Sequence, residues 1–147
     1  MRNGTDQNFQ LDPQLAHDTL FVGDLSLCRL LLMNDARFPW LVLVPRRVGV
    51  TEVWELSQED QCLLMSEVAV CAQKLKYLAG ATKINIGALG NIVRQLHVHV
   101  VARSLEDTAW PKPVWSYGGS MRYAPENGDV WMRVLQEGLK DVLSRDT

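Results

Sequence analysis

Leu64, Val68, Cys71, Leu75 and Leu78 recur at steps of four and three, drawing one apolar stripe down a segment that opens at Ser57 and stops at Gly80. That spacing is the period of a helix with a single buried face. Ser57 and Asp60 stand in the [ST]-x-x-[DE] arrangement that begins helices. Gly80 stands where a left-handed cap closes one. A long helix with one apolar side needs a surface to lie on, and the rest of the chain must provide it.

Strand-like runs provide it. Ser26 to Met33 is a compact apolar run bounded by turn residues, which suits a strand buried on both faces. Trp40 to Val44 is a second apolar run, stopped by Pro45, and the Asn34 to Pro39 turn between the two predicts an antiparallel hairpin. Thr19 to Val22 reads as a strand before the Gly23-Asp24 turn, and Asp12-Pro13 starts a short turn or helix through His17. Lys83 to Leu89 and Arg94 to Val101 are two further strand candidates. The second alternates cleanly, with Leu96, Val98 and Val100 on one side and Gln95, His97 and His99 on the other. Trp131, Leu135, Leu139 and Val142 predict a C-terminal helix, with Gly138 inside it as a weak point. Residues 110–119 carry too many prolines and glycines for regular structure. Strands, one long helix, then strands, joined by short turns, is an α+β pattern.

Length and composition bound the function. The 147 residues hold 47 % hydrophobic and 22 % charged residues, ordinary for one globular domain. Fifteen Lys and Arg against seventeen Asp and Glu leave a charge of -2, so no basic stripe points to nucleic acid. No apolar run approaches the roughly 20 residues of a membrane span. Residues 1–8 are polar, without the apolar centre of a signal peptide, so a cytoplasmic location is expected. Cys28, Cys62 and Cys71 form no C-x-x-C pair and read as small core residues. The Arg46-Arg47 pair reads as solvated.

His97 and His99 are two of three histidines, and with Gln95 they form one polar row. Neutral imidazole is a nucleophile, a proton carrier and a metal ligand, so neighbours on one face can divide such roles. The plainer account is a hydrogen-bonded surface pair. A metal site would need further ligands, and no nearby Cys, Asp or Glu has a ligand spacing.

The surroundings sharpen this. Residues 90–101, Gly-Asn-Ile-Val-Arg-Gln-Leu-His-Val-His-Val-Val, resemble the G-Q-[ST]-V-x-H-x-H-x-H-x-x signature of the histidine-triad (HIT) superfamily. Asn34-Asp35 through Phe38-Pro39, then Leu41-Val42-Leu43-Val44-Pro45-Arg46-Arg47, resemble the family's turn and its "LVIPK"-like strand. Glu55-Leu56-Ser57 and the long helix follow in the family's order, so the likeness spans about residues 20–104. It implies a HIT-like antiparallel sheet of about five strands with one long helix and a C-terminal helix. The whole chain, 1–147, would then be one domain, with 105–147 as its C-terminal loop and helix.

The resemblance also implies chemistry. It makes His97 the nucleophile that attacks an α-phosphate to give a nucleotidyl-histidine, and places His99 near the leaving side. In the family the nucleophile is oriented by the main-chain carbonyl of the first triad residue, here Gln95. Asn34 falls where the family contacts ribose hydroxyls, although Asn-Asp also suits a turn. Asn85 resembles a family asparagine near the phosphate, and its plainer reading is a strand-face amide. Gly90 would let backbone approach a phosphate or simply turn the chain. Arg103, after the motif, would reach a phosphate or a carboxylate. Trp110, Trp115 and Tyr117 would stack on a base or on a partner subunit, or pack their own proline-rich loop.

Three positions depart from the pattern. Gln95 replaces the first triad histidine, Asn91 the usual glutamine, and Ile92 a serine or threonine hydroxyl. Losing one donor to a phosphoryl-like transition state costs about 3–4 kcal/mol. The expectation is a hydrolase or transferase for a small nucleotide, a purine nucleotide, of the phosphoramidase or dinucleoside polyphosphate hydrolase type. It needs no cofactor and no metal, contacts neither nucleic acid nor membrane, and forms a homodimer. The alternative is a catalytically weak nucleotide-binding or regulatory protein.

Overall fold

The computed structural model describes residues 5–145, so residues 1–4 of the polar opening and the last two of the C-terminal tract lie outside the described residues. The elements are α1 (Pro13–Asp18), β1 (Thr19–Asp24), β2 (Cys28–Met33), β3 (Trp40–Pro45), α2 (Gln58–Ala79), β4 (Lys83–Gly87), β5 (Val98–Arg103) and α3 (Pro125–Gly138). The strands form one antiparallel sheet in the order β1-β2-β3-β5-β4. This is the α+β architecture expected. No helix among the described residues is long and apolar enough to cross a membrane.

α2 begins and ends where its caps predict. The Ser57 hydroxyl accepts from the Asp60 N–H, and Gly80 closes the helix at φ 61°. Its Leu64, Val68, Cys71 and Leu75 pack on Leu30, Leu32, Leu41, Leu43, Val98 and Val100, which form one face of the sheet. Leu135 and Leu139 close the edge of that core. The opposite face carries Leu31, Trp40, Val42, Val44 and Val101 under Leu15, Phe38 and Val114. The central strands are thus covered on both sides, which explains why β3, and β2 from Leu30 onward, read as continuous apolar runs rather than alternating ones.

Several boundaries and burials differ from the sequence reading. The strand expected over 94–101 runs instead from Val98 to Arg103. Before it the backbone leaves the sheet: the Leu96 N–H donates to Val50 O, and the Gln95 side chain binds the N-terminal segment. The C-terminal helix stops at Gly138, so Val142 lies beyond it and is exposed. A Cβ at Gly138 would come within 2.8 Å of Leu78 Cδ1, so the glycine serves close packing of α3 on α2. Cys62 is exposed, unlike buried Cys28 and Cys71.

Arg46 and Arg47 are buried, not solvated. Arg46 donates to the carbonyls of Leu25, Ser26 and Leu27 and lies 3.4 Å from Asp24, binding the β1–β2 turn from its carbonyl side. Glu67 of α2 accepts the Leu27 and Cys28 N–H groups of the same turn at 2.9 and 2.8 Å. Arg47 pairs with Asp60 in the first turn of α2 through two hydrogen bonds of 2.7 and 3.1 Å. These bonds join the sheet to the helix in ways that a local reading of charge does not reveal.

Candidate functional site

The sheet face away from α2 opens into a cavity of about 490 Å³. His97 and His99 stand at its floor, both buried, with ring centroids 4.8 Å apart. Their side of the strand follows from the alternation: Leu96, Val98 and Val100 enter the helix-side core, which sends the two imidazoles the other way.

Each imidazole has one nitrogen committed to the protein. His97 Nδ1 lies 2.6 Å from the Gln95 carbonyl oxygen. A carbonyl only accepts, so Nδ1 carries a proton, and in the neutral ring the lone pair lies on Nε2. His99 is set the opposite way. The Trp40 indole N–H donates to His99 Nδ1 at 2.9 Å, which leaves the neutral ring's proton on Nε2. Burial, reinforced by the repulsion that a protonated His97 would exert, pushes the His99 pKa down to about 3, so this ring is neutral at ordinary pH. Among the described residues, neither Nε2 has a hydrogen-bond partner in the protein. One ring thus offers a lone pair and its neighbour an N–H donor.

The turn after β2 forms one wall. Asn34 lines the cavity, and its Oδ1 accepts from the Tyr123 N–H at 2.9 Å. Asp35 takes the Arg37 guanidinium in a two-point pair at 2.9 and 2.7 Å. Burial raises the Asp35 pKa, but hydrogen bonds from Arg37 outweigh it and hold the carboxyl below its usual value. Arg37 also donates to Tyr117 O at 2.6 Å, linking this turn to the proline-rich loop. That loop forms the opposite wall with Trp115, whose ring meets His99 edge-on at 5.6 Å. The Trp115 indole nitrogen is buried without a hydrogen-bond partner.

Gly90, Asn91 and Ile92 make the rim between β4 and β5. Gly90 has φ 73°, a conformation that other residues adopt only at a cost. Asn91 is exposed, and Ile92 is 93 % exposed. Gln14 and Asp18 of α1, together with Arg122, complete the opening.

The structure therefore brings together His97, His99, Asn34, Gly90 and Asn91. It does not bring the Gln95 side chain there. That amide turns away to accept from the Asp12 N–H and to donate to Gln10 O, so only its carbonyl serves the site. Nor does it bring Asn85, whose Oδ1 accepts from Arg103 Nη1 at 2.8 Å. Arg103 itself is buried and pairs with Asp107, the carboxylate alternative of its sequence reading. Arg37, Arg122 and Trp40 were not singled out by sequence. The one local hint was the Asn-Asp-x-Arg turn, where a carboxylate and a guanidinium two residues apart can pair. Among the described residues, no three His, Cys, Asp or Glu side chains converge as metal ligands.

Residues 14–105 match the model of the HIT domain. The crystal structure of a histidine triad protein from Sinorhizobium meliloti superposes with a TM-score of 0.88 at 48 % identity, over 90 % of this chain and 98 % of that one. A histidine triad protein from Marinobacter aquaeolei gives 0.89 at 41 % identity, over 91 % and 98 %. One from Bradyrhizobium japonicum gives 0.86 at 38 % identity, over 88 % and 97 %. A comparison with curated proteins finds no match.

Proposed function

The chain belongs to the HIT domain family, and on that premise we propose that it binds a purine nucleotide in the cavity around His97 and His99 and hydrolyses or transfers its nucleotidyl group. Gln95 takes the place of the family's first triad histidine. The observation that supports this reading most is the opposed proton placement of the two rings, a free lone pair on His97 Nε2 beside a donor on His99 Nε2.

In the proposed reaction His97 Nε2 attacks the α-phosphorus. The bond from phosphorus to the leaving group breaks, and its electron pair departs with that group, which takes up a proton. Water then attacks the phosphorus of the nucleotidyl-histidine, releasing a nucleoside monophosphate and the neutral ring. Preorganised N–H donors aimed at developing oxyanion charge are the strongest aid a site of this kind can give. His99 and the backbone around Gly90 and Asn91 take that role, Asn34 faces the ribose, and Trp115 is placed to stack on the base. The substrates that fit are nucleoside 5′-phosphoramidates or dinucleoside polyphosphates. We further propose a cytoplasmic homodimer formed by one domain per chain, with β4, an edge strand of the sheet, as a surface available for pairing.

A second reading has its own support. Ile92 stands almost fully exposed where the family carries a hydroxyl, so the rim offers one donor fewer to a phosphate. A protein that keeps the pocket and turns over slowly, or only binds, accords with that.

One experiment separates the two. Single-turnover incubation with adenosine and guanosine 5′-phosphoramidates and a dinucleoside polyphosphate is followed by intact-protein mass, with His97→Ala alongside. A nucleotidyl adduct that vanishes in His97→Ala is expected. Nucleotide binding with neither adduct nor product assigns the protein to the binding class. Light scattering tests the dimer, and a monomeric mass refutes it.

A further inference from the structure

His99 has a partner that the triad pattern does not contain. In the sheet register Val42 lies opposite His99 and Trp40 opposite Val101, which makes Trp40 and His99 diagonal neighbours on one face of adjacent antiparallel strands. At that separation long aromatic side chains reach one another. The Trp40 ring is buried in the cluster under Leu15 and Val114, so its position is set by packing rather than by the histidine. Its indole N–H can only donate, and it meets His99 Nδ1 at 2.9 Å.

We infer that Trp40 is a positioning residue for this site: by donating to His99 Nδ1 it fixes the ring's proton on Nε2 and makes His99 a standing hydrogen-bond donor to the anionic group bound in the cavity. A proton on Nδ1 would set two donors against each other in a buried place, which leaves one of them unsatisfied. The second tryptophan restrains the ring as well. Trp40 meets His99 edge-on at 5.5 Å and Trp115 at 5.6 Å, so the imidazole is held between two indoles. The remaining charged groups of the cavity leave this arrangement undisturbed. Asp35 is taken up by Arg37, Asp18 by Gln14, and Arg122 by His17, while His97 is turned to Gln95. Burial and neighbouring His97 both disfavour a charged His99, in keeping with a neutral donor. The tautomer itself is a property of the unliganded chain. Its use as a donor rests on the phosphate-site reading proposed above.

The test is nitrogen NMR of the three imidazoles in the full chain, recorded for wild type and Trp40→Phe. In wild type His99 should show a protonated Nε2 and a bare Nδ1, opposite to His97, and the Trp40 indole N–H should be protected from exchange. In Trp40→Phe, which keeps an aromatic ring in the apolar cluster, His99 should lose that preference. In the same variant kcat should fall by about tenfold, the scale of one lost hydrogen bond. A wild-type His99 with its proton on Nδ1, or an unchanged tautomer in Trp40→Phe, overturns the inference. The wild-type spectrum decides even if the variant fails to fold. It also decides in the absence of any turnover, so failure of the catalytic reading stays distinct from failure of this one.

Discussion

His97 Nδ1 and the Gln95 carbonyl oxygen are 2.6 Å apart, a bond between side chain and main chain that is indifferent to which side chain residue 95 carries. The Gln95 amide meanwhile joins the N-terminal segment, at Asp12 N and Gln10 O. Chemistry and packing are thus divided between two parts of one residue. Gln95→Ala should leave turnover within about tenfold of wild type while costing about 1–2 kcal/mol of stability for two lost hydrogen bonds. Steady-state rates and urea midpoints measure the two halves. A loss of turnover as complete as that of His97→Ala would show that the side chain itself takes part.

His99 links the site to the pH dependence of folding. Its folded pKa, about 3, lies below the ordinary 6.5, because burial and then His97 disfavour the charge. As pH falls below 6.5 the unfolded chain binds a proton there that the folded chain refuses, so stability drops with acidification. The slope approaches about 1.4 kcal/mol per pH unit. Asp35 and Asp107, both held low by hydrogen bonds from arginine, add their own losses as pH falls below the usual 3.8. Between pH 6 and 4, urea melts of His99→Phe should therefore be flatter with pH than those of wild type. Parallel curves would place the sensitive group elsewhere.

The sequence disclosed the elements more fully than their connections. α2 could be read to its caps because Ser57 and Gly80 act on backbone groups within a turn of themselves. The side of the sheet that carries His97 and His99 followed from simple alternation. Arg46, Arg47 and Arg103 could not be read in the same way. Their carboxylate and carbonyl partners come from the β1–β2 turn, from α2 and from the loop after β5, and charge alone does not reveal which arginine is enclosed. The cavity wall was hidden for a related reason. Trp40 was one more apolar residue of a strand until the register set its indole beside His99.

Arg47 and Asp60 tie the end of β3 to the first turn of α2. A buried two-point pair contributes little beyond an apolar replacement, but removing Asp60 takes from buried Arg47 its main counter-charge, which the Arg46 carbonyl and Asp6 replace only in part. Asp60→Asn should cost about 3 kcal/mol, seen as a lower urea midpoint at unchanged slope. The double change Arg47→Met with Asp60→Leu should recover much of it. If the double variant is as unstable as the single one, the pair carries more than its own charges.

The three cysteines should separate by accessibility. Cys62 is exposed on α2, while Cys28 and Cys71 are buried, and burial pushes the Cys71 thiol up to about 12. Since the thiolate is the reactive form, a thiol-titrating disulfide reagent should find one fast group in the native protein and three in denaturant. Cys62→Ser should remove the fast phase without loss of stability. A second fast thiol in the native state would mean that the core beneath α2 opens readily.

Gly87 lies opposite His99 in the β4–β5 register, and a Cβ there would approach the Trp115 ring to 3.1 Å. The missing side chain leaves the space in which Trp115 lies against His99, although Gly87 does not itself line the cavity. A flat ring cannot yield to a branched side chain without moving as a whole. Gly87→Val should therefore push Trp115 from its place and weaken nucleotide binding by about tenfold, the equivalent of about 1.4 kcal/mol. Calorimetric titration with a nonhydrolysable purine nucleotide would measure this, with Trp115→Ala as the reference. Matching losses in the two variants, and no further loss when they are combined, would establish that Gly87 acts through Trp115. Unchanged affinity in Gly87→Val would mean that the loop carrying Trp115 adapts, and that the ring takes no part in holding the base.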